Sequence, residues 1–371
     1  MKQYGHLKEY NVTLKTIGPV SIGSGQSFSK KEYIFKRETS TFIFLNMPFL
    51  GEICRKKGLE KKFVDFLLHP QAKDLYRFFK DNRLNENDYA KAVLYEVHSF
   101  DEHLNGHDAK EVQVFMQNGR GEFYIPGSSV KGAVRTAILT NMLLDEKGKN
   151  REKYIESIEK SLNGNIRKYQ DITEPRLFNS LNVTERRSDA LNSIMRGIIV
   201  SDSAPISEQD MTIVQKVDYT LGGKEKRLPL FRLCVKPQTE IKLTITFDER
   251  ILARSGINAE YICTAIANQY RFNYNNFDSK FINSISREYK ESKIQPLFYL
   301  GGGSGFPSKT FVTAHIYSSK SIELTGKILA AQFKPHHHEK DEDLKVSPHV
   351  RKIAVYRNKR LPMGLCRFKM E

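Results

Sequence analysis

Tyr124-Ile125-Pro126-Gly127-Ser128-Ser129-Val130-Lys131-Gly132-Ala133-Val134-Arg135, continued by the run from Thr136 to Leu144, combines a glycine loop, a helix start and two cations. Pro126 and Gly127 punctuate the chain, and Ser128 and Ser129 are both N-cap candidates. Val130, Val134, Ala137, Ile138 and Leu144 recur at helical spacing, which predicts a helix starting near Ser129. Its first-turn N–H groups point back to the loop, where the helix dipole favours negative charge. Lys131 and Arg135 are four residues apart and share a face. If that face borders the loop, both reach one phosphate or two neighbouring ones. The alternative is a tight turn carrying two solvated cations. Gly127 to Gly132 does not follow the Gly-x-x-x-x-Gly-Lys-Ser/Thr order of a Walker A loop, so nucleotide hydrolysis is unsupported.

Outward from this stretch, the 371-residue chain is long enough to bury a large core in one elaborated unit or two domains. It has no apolar run long enough to span a membrane and no secretory n-region and h-region at Met1 to Tyr10, so a cytoplasmic protein is expected. Cys54, Cys234, Cys263 and Cys366 form no C-x-x-C pair and read as buried thiols. The formal net charge of +16, with a pI near 9.5, points to a polyanionic partner, because each phosphate neutralised releases a counterion. Nucleic acid is favoured over a membrane surface, since no basic amphipathic helix with exposed bulky apolar residues stands out. With no Trp, Tyr and Phe are the strong stacking platforms available.

Tyr10 to Ile17 alternates as a half-buried strand and runs into Gly18 to Gly25, where Gly23, Ser24 and Gly25 let backbone approach a ligand. Tyr33 to Arg37 and Thr41 to Asn46 read as a hairpin, and Met47 to Asn82 has helical spacing. Glu96, His98, Asp101, Glu102, His103, His107 and Asp108 raise the question of a metal site or an acid–base dyad, but Gly106 interrupts any helix through His103 and His107. A polar surface loop is the favoured reading. Lys147 to Lys168 is charged and helix-compatible. Asp171 to Ser193, with Arg176, Arg186 and Arg187, is a polar connector that RNA could order. Gly197 to Ser203 is a buried strand ending in a turn, with Asp202 a cap in preference to a catalytic carboxylate. Val214 to Thr220 and Leu230 to Phe247 are β-rich around the basic tip Gly222 to Arg227, and Asn258 to Ser284 is helical. Gly301, Gly302, Gly303 and Gly305, followed by Lys309, form a second glycine-rich loop, flanked by segments too apolar for a linker. Pro335 to Asp343 reads as a disordered loop, because three adjacent histidines cannot face one metal from a regular element. His349 to Tyr356 and Met363 to Lys369 read as a basic C-terminal pair of strands.

Ile22-Gly23-Ser24-Gly25, Ile125 to Arg135, Val200-Ser201-Asp202 and Gly301 to Gly305, in that order, resemble the RAMP superfamily of type III CRISPR effector complexes. Within it they look like the head subunit of the type III-A (Csm) complex, as do the chain length and Pro362-Met363-Gly364-Leu365-Cys366. The resemblance spans most of the chain. It implies an α+β fold: a ferredoxin-like (RRM-related) RAMP core with large insertions and glycine-rich loops. The corresponding divisions of one elaborated unit, 1–371, are a first strand and hairpin over 8–46, a largely helical insertion over 47–120, and a glycine loop with core helix over 121–145. A polar connector over 146–195 follows, then the remaining core over 196–320 and a polar loop with C-terminal strands over 321–371. The last core strand is expected after Gly305. RNP aromatics are not evident, so glycine loops and cations are the expected RNA contacts. The implied partners are guide RNA (crRNA), bound near its 3′ end by a non-catalytic subunit that caps the filament and supports maturation there, and other Csm subunits, especially backbone RAMP subunits. Target RNA and a maturation nuclease are further candidates; no cofactor, metal or membrane is implied. The expected RNA-binding residues are Gly23, Ser24, Gly25, Gly127, Ser128, Ser129, Lys131, Arg135, Arg186, Arg187, Gly301, Gly302, Gly303, Gly305 and Lys309. Two alternatives stay open: a metal-independent guide-processing endoribonuclease using His98 or His103, and an assembly cap without direct RNA contact.

Overall fold

Alternation of apolar and polar residues sets the central strands, and their order along the chain sets the architecture. The computed structural model describes residues 5–70, 74–104, 111–145, 166–286, 296–311, 314 and 319–371. Its first half contains β1 (Leu7–Thr16), β2 (Gly23–Ser29), β3 (Tyr33–Lys36), β4 (Thr41–Leu45), α1 (Met47–Lys56), α2 (Glu60–Leu68), α3 (Leu75–Asp81), α4 (Glu86–Tyr89), β5 (Val93–His98), β6 (Glu111–Phe115), α5 (Gly127–Asp145) and α6 (Ile166–Phe178). Then come β7 (Ile198–Val200), β8 (Met211–Thr220), β9 (Glu225–Val235), β10 (Glu240–Asp248), α7 (Glu249–Leu252), α8 (Ala259–Asn276), β11 (Leu297–Tyr299), α9 (Ser319–Gln332), β12 (Val350–Tyr356), β13 (Lys359–Pro362) and β14 (Leu365–Met370).

The first sheet has the order β11-β14-β1-β10-β7, with every neighbour antiparallel. Val12 and Leu14 of β1 lie opposite Leu243 and Ile241 of β10, so the buried positions of the two strands coincide. Traced as β1-α5-β7-β10-α8-β14, this sheet has the split β-α-β arrangement of a ferredoxin-like fold. Val130, Val134, Ala137 and Ile138 of α5 and Ile262, Ala265 and Ile266 of α8 are buried in one core with the sheet. Each such side chain contributes about 1–3 kcal/mol by leaving water. Asn141 joins the two helices: its Nδ2 donates to Tyr261 OH at 3.2 Å, and its Oδ1 accepts from Asn268 Nδ2 at 2.8 Å.

The second sheet, β13-β12-β8-β9-β6-β2, is antiparallel except between β6 and β9. The third, β3-β4-β5, is covered on both sides. Phe42 and Phe44 of β4 enter the main core, while Ile43 and Leu45 meet Leu50, Cys54, Phe78 and Phe79 of the helices that follow. The expected first strand, the hairpin and the helical pattern of Met47 to Asn82 are all present.

Several expectations are corrected. The 47–120 insertion contains β5 and β6 as well as helices. The last core strand is β14, far beyond the late loop and outside 196–320; directly after Gly305 a short 3-10 turn forms at Pro307–Lys309, and Phe311 and Ala314 are buried. The C-terminal pair is three strands, divided between two sheets. Pro335 to Asp343 is folded into 3-10 turns at Lys334–His336 and His338–Lys340, because His338 and Asp341 are buried there. His107, Asp108 and most of Lys147 to Lys168 lie outside the described residues. No described helix is long and apolar enough to cross a membrane.

Candidate nucleic-acid interface

Helix α5 begins at Gly127, ahead of the two serines, because its first N–H has a partner from elsewhere: Gly127 N–H donates to Asp202 Oδ1 at 2.8 Å. Ser128 and Ser129 therefore lie inside the first turn instead of capping it. Gly127 is required for space, since a Cβ there would sit 2.3 Å from Val200 O and 2.6 Å from Ser201 O. Asp202 is thus the cap, and its carboxylate already occupies the positive end of the helix. Lys131 is half-buried; burial, then Arg135, pulls its pKa below the ordinary lysine value. Arg135 is committed elsewhere, with Nη1 2.9 Å from Glu174 Oε2 of α6. The two cations of this helix face are therefore not equivalent.

Backbone hydrogen bonds lace the three glycine stretches side by side. Gly302 N–H donates to Ser21 O at 2.6 Å, Met116 N–H to Ile22 O at 2.8 Å, Tyr124 N–H to Met116 O at 3.3 Å, and Ser203 N–H to Ile125 O at 2.9 Å. The result is a strip running from the late loop through Ser21 to Gly25 and on to Tyr124 to Gly127 and Asp202. Gly301 has φ +78, and a Cβ there would meet Ser21 O at 2.2 Å, so only glycine permits this junction. Gly23 and Gly25 are different: a Cβ at either would meet no atom within 4 Å, so their bareness leaves open backbone. Ser24 Oγ donates to Val114 O at 3.3 Å.

Cations gather beside the late loop. A Cβ on Gly303 would lie 3.1 Å from Arg232 Nη1, and one on Gly305 would lie 3.8 Å from Lys352 Cγ. Arg232 Nε donates to Gln113 Oε1 at 2.7 Å. Lys352 Nζ lies 2.7 Å and Lys216 Nζ 4.0 Å from Asp218 Oδ1. Burial lowers the Lys216 pKa, as do the neighbouring charges of Lys352 and Arg232; burial and Arg232 do the same to Lys309. Lys216 and Lys352 share the one carboxylate of Asp218, and among the described residues no ion pair answers Arg232 or Lys309, which leaves excess positive charge beside the late loop. Of the four, the sequence pattern singles out Lys309 alone. Cations set among the apolar residues of β8, β9 and β12, such as Lys216 within Val214 to Val217 and Arg232 between Phe231 and Leu233, are the signal that could have found the others.

Arg186 and Arg135 line one cavity of about 620 Å³ with Glu174, Phe178, Asn179 and Ser193. Arg186 Nε donates to Ser188 Oγ at 3.0 Å, whereas Arg187 Nη2 donates to Arg176 O at 3.4 Å. The connector is folded by its own amides, not left for RNA to order. Asn179 Nδ2 donates to Arg187 O at 2.7 Å, and Asn192 Oδ1 accepts from Val183 N–H at 2.6 Å.

The acid and histidine residues after β5 are tied into packing. Asp101 is buried and accepts from Arg227 Nη1 and Nη2 at 2.5 and 3.2 Å. His98 Nδ1 lies 2.9 Å from Thr41 Oγ1, and His103 N–H donates to Asp101 Oδ1 at 3.1 Å. Neither imidazole is paired with a carboxylate in a general-base arrangement among the described residues. Burial pushes the Cys54 thiol up to about 11 and that of Cys234 to about 12, as expected of inert buried thiols.

The chain is 28% identical over a 383-residue alignment to the CRISPR system Cms protein Csm5 of Mycobacterium tuberculosis (strain ATCC 25618 / H37Rv), with 97% of each chain covered. It is 29% identical over 314 residues to the CRISPR system Cms protein Csm5 of Streptococcus thermophilus, with 82% of this chain and 80% of that one covered. It shares its fold with a chain in the cryo-EM structure of a Csm–crRNA–target RNA ternary complex of a type III-A CRISPR-Cas system, at TM-score 0.67 and 17% identity over 97% of this chain and 100% of that one. The same holds for the crystal structure of T. onnurineus Csm5, at TM-score 0.64 and 18% identity over 96% and 99%. The family model of the RAMP superfamily matches residues 13–306, from the first core strand through the late glycine loop, and the chain belongs to that superfamily.

Proposed function

We propose that this chain is a non-catalytic RNA-binding subunit of a type III-A CRISPR ribonucleoprotein complex. It contacts the guide RNA near its 3′ end, caps the filament and supports 3′ maturation in antiviral defence. The names of the relatives support the complex, with other Csm subunits, guide RNA and target RNA as its partners. The observation that carries the RNA contact is the laced glycine strip beside Lys216, Arg232, Lys309 and Lys352. Open backbone at Gly23 and Gly25 admits a sugar–phosphate chain and the cations neutralise it, and contacts to phosphate carry no sequence information, which makes binding sequence-tolerant. Lys131 extends the strip along α5, with Arg135 and Arg186 at its far side.

Salt-dependent binding of the purified chain to single-stranded RNA tests this. Each phosphate contact adds about 0.7 to the slope of log affinity against log salt, so Arg232→Ala with Lys309→Ala should flatten it by about 1.4. Between about 50 and 200 mM salt the wild type then loses about sevenfold more affinity than the variant. Lys61→Ala with Lys62→Ala, exposed on α2, should leave the slope unchanged. Equal slopes in all three proteins would remove the RNA from this strip.

A further inference from the structure

The turn after α9 carries a second cluster, outside the RNA contact proposed above. Asp341 is fully buried, and its carboxylate is held between two imidazoles, with His338 Nδ1 3.0 Å from Oδ2 and His349 Nδ1 2.5 Å from Oδ1. The three ligand atoms all lie within 4.8 Å of one another. The geometry follows from local structure. His338 opens a 3-10 turn and Asp341 closes it, and residues three apart stand above one another in that helix type. His349 enters from the residue before β12, which is fixed by its pairing with β8. Ser347 Oγ donates to Asp341 Oδ2 at 2.6 Å and orients the carboxylate from outside the cluster. Gly326 of α9 packs close against it: a Cβ there would lie 3.0 Å from His338 O and 3.5 Å from Asp341 Cβ.

We propose that His338, Asp341 and His349 bind one divalent transition-metal ion of the zinc class, fastening the turn after α9 to the start of β12. A buried carboxylate is costly unless a positive charge answers it, and among the described residues Asp341 is paired with no lysine or arginine. Two imidazoles and one carboxylate form a donor set suited to zinc, cobalt or nickel, and too rich in nitrogen for magnesium or calcium. The side chain of His349 is a quarter exposed, which gives a water access to a fourth position. His336 stacks on the His338 ring with centroids 6.0 Å apart, and His337 pairs with Glu339, so a single member of the histidine run supplies a ligand. The site anchors the strand that carries Lys352, but it does not depend on RNA being bound.

The test uses the untagged full-length chain, stripped with chelator, loaded with zinc chloride and passed through gel filtration. The proposal expects one zinc per chain by elemental analysis, a zinc-dependent rise in Tm, and visible absorption typical of nitrogen-ligated cobalt when Co²⁺ is substituted. His349→Ala and Asp341→Asn should lose all three, while His337→Ala keeps them. The wild-type measurement is decisive even if a variant folds poorly. Wild type that retains no zinc and shows no Tm shift has a hydrogen-bonded triad only, which overturns the proposal. Zinc lost in His337→Ala but kept in His349→Ala overturns it as well.

Discussion

Replacing Gly301 by alanine should unhook the late glycine loop, whereas the same change at Gly302 should be tolerated. At Gly301 the backbone has φ +78, a region that costs a residue with a Cβ about 1–2 kcal/mol. The new methyl would sit 2.2 Å from Ser21 O, which cannot retreat without losing the hydrogen bond it accepts from Gly302 N–H at 2.6 Å. Losing that bond adds about 1 kcal/mol, for a total of about 2–3 kcal/mol. At Gly302 the nearest atom to a Cβ is the same oxygen at 3.6 Å, an ordinary contact. Hydrogen exchange of the Gly302 amide reads the junction directly, and 2–3 kcal/mol corresponds to about a 30- to 150-fold loss of protection. RNA affinity should fall in the same variant, because the cations would no longer face an ordered loop. If Gly301→Ala exchanges no faster than Gly302→Ala, the close approach is not what holds the strip together.

Asp202→Asn keeps an acceptor for Gly127 N–H and removes the charge at the start of α5. If a phosphate lies there, RNA affinity at low salt should rise about two- to fivefold at a stability cost below about 1 kcal/mol, measured by titration and by urea unfolding. Asp101→Ala strands Arg227, a quarter exposed, and should cost about 3 kcal/mol in unfolding; Arg135→Ala breaks a pair in which Arg135 is 46% exposed and should cost less than about 1 kcal/mol. Lys309 has a pKa below the ordinary 10.5, so it is fully charged only below that lowered value. A bound phosphate favours its protonated form. Affinity for an alkali-stable 2′-O-methyl RNA should therefore fall as pH rises through the lowered pKa, before 10.5, and Lys309→Arg should move the fall upward.

What the sequence made legible was local. The alternation of Val12 and Leu14, and of Ile241 and Leu243, specifies two strands, and their pairing follows from which residues must be buried. The spacing from Val130 to Ile138 specifies α5. What it hid depends on contacts between distant residues. Asp202 reads as a cap, but its reach to Gly127, 75 residues away, moved the helix start and filled the positive end thought to be free for phosphate. Lys352 meets Asp218 across 134 residues, so its place beside Gly305 depends on a register that no local pattern states. His338 was hidden for the same reason: the histidine run shows adjacent imidazoles, while the partner that matters, His349, lies beyond the turn.

The open face of the first sheet is the other place where RNA could lie, since RRM proteins bind there. Its outward positions are Asn11, Thr13 and Lys15 on β1, Lys242, Thr244 and Thr246 on β10, and Arg367 and Lys369 on β14. None is aromatic, so bases would find nothing to stack on. Part of its charge is also answered locally, by Glu240 against Lys15 and Glu371 against Lys369. The phenylalanines of this sheet, Phe247 on β10, Phe298 on β11 and Phe368 on β14, are buried in the core. Binding there would rest on a few screened cations, while the glycine strip offers open backbone and a cluster whose described ion pairs end on one carboxylate. Under the proposed function, a chain so basic holds RNA best by the backbone, and the strip where the late loop meets Ser21 is the surface that suits it.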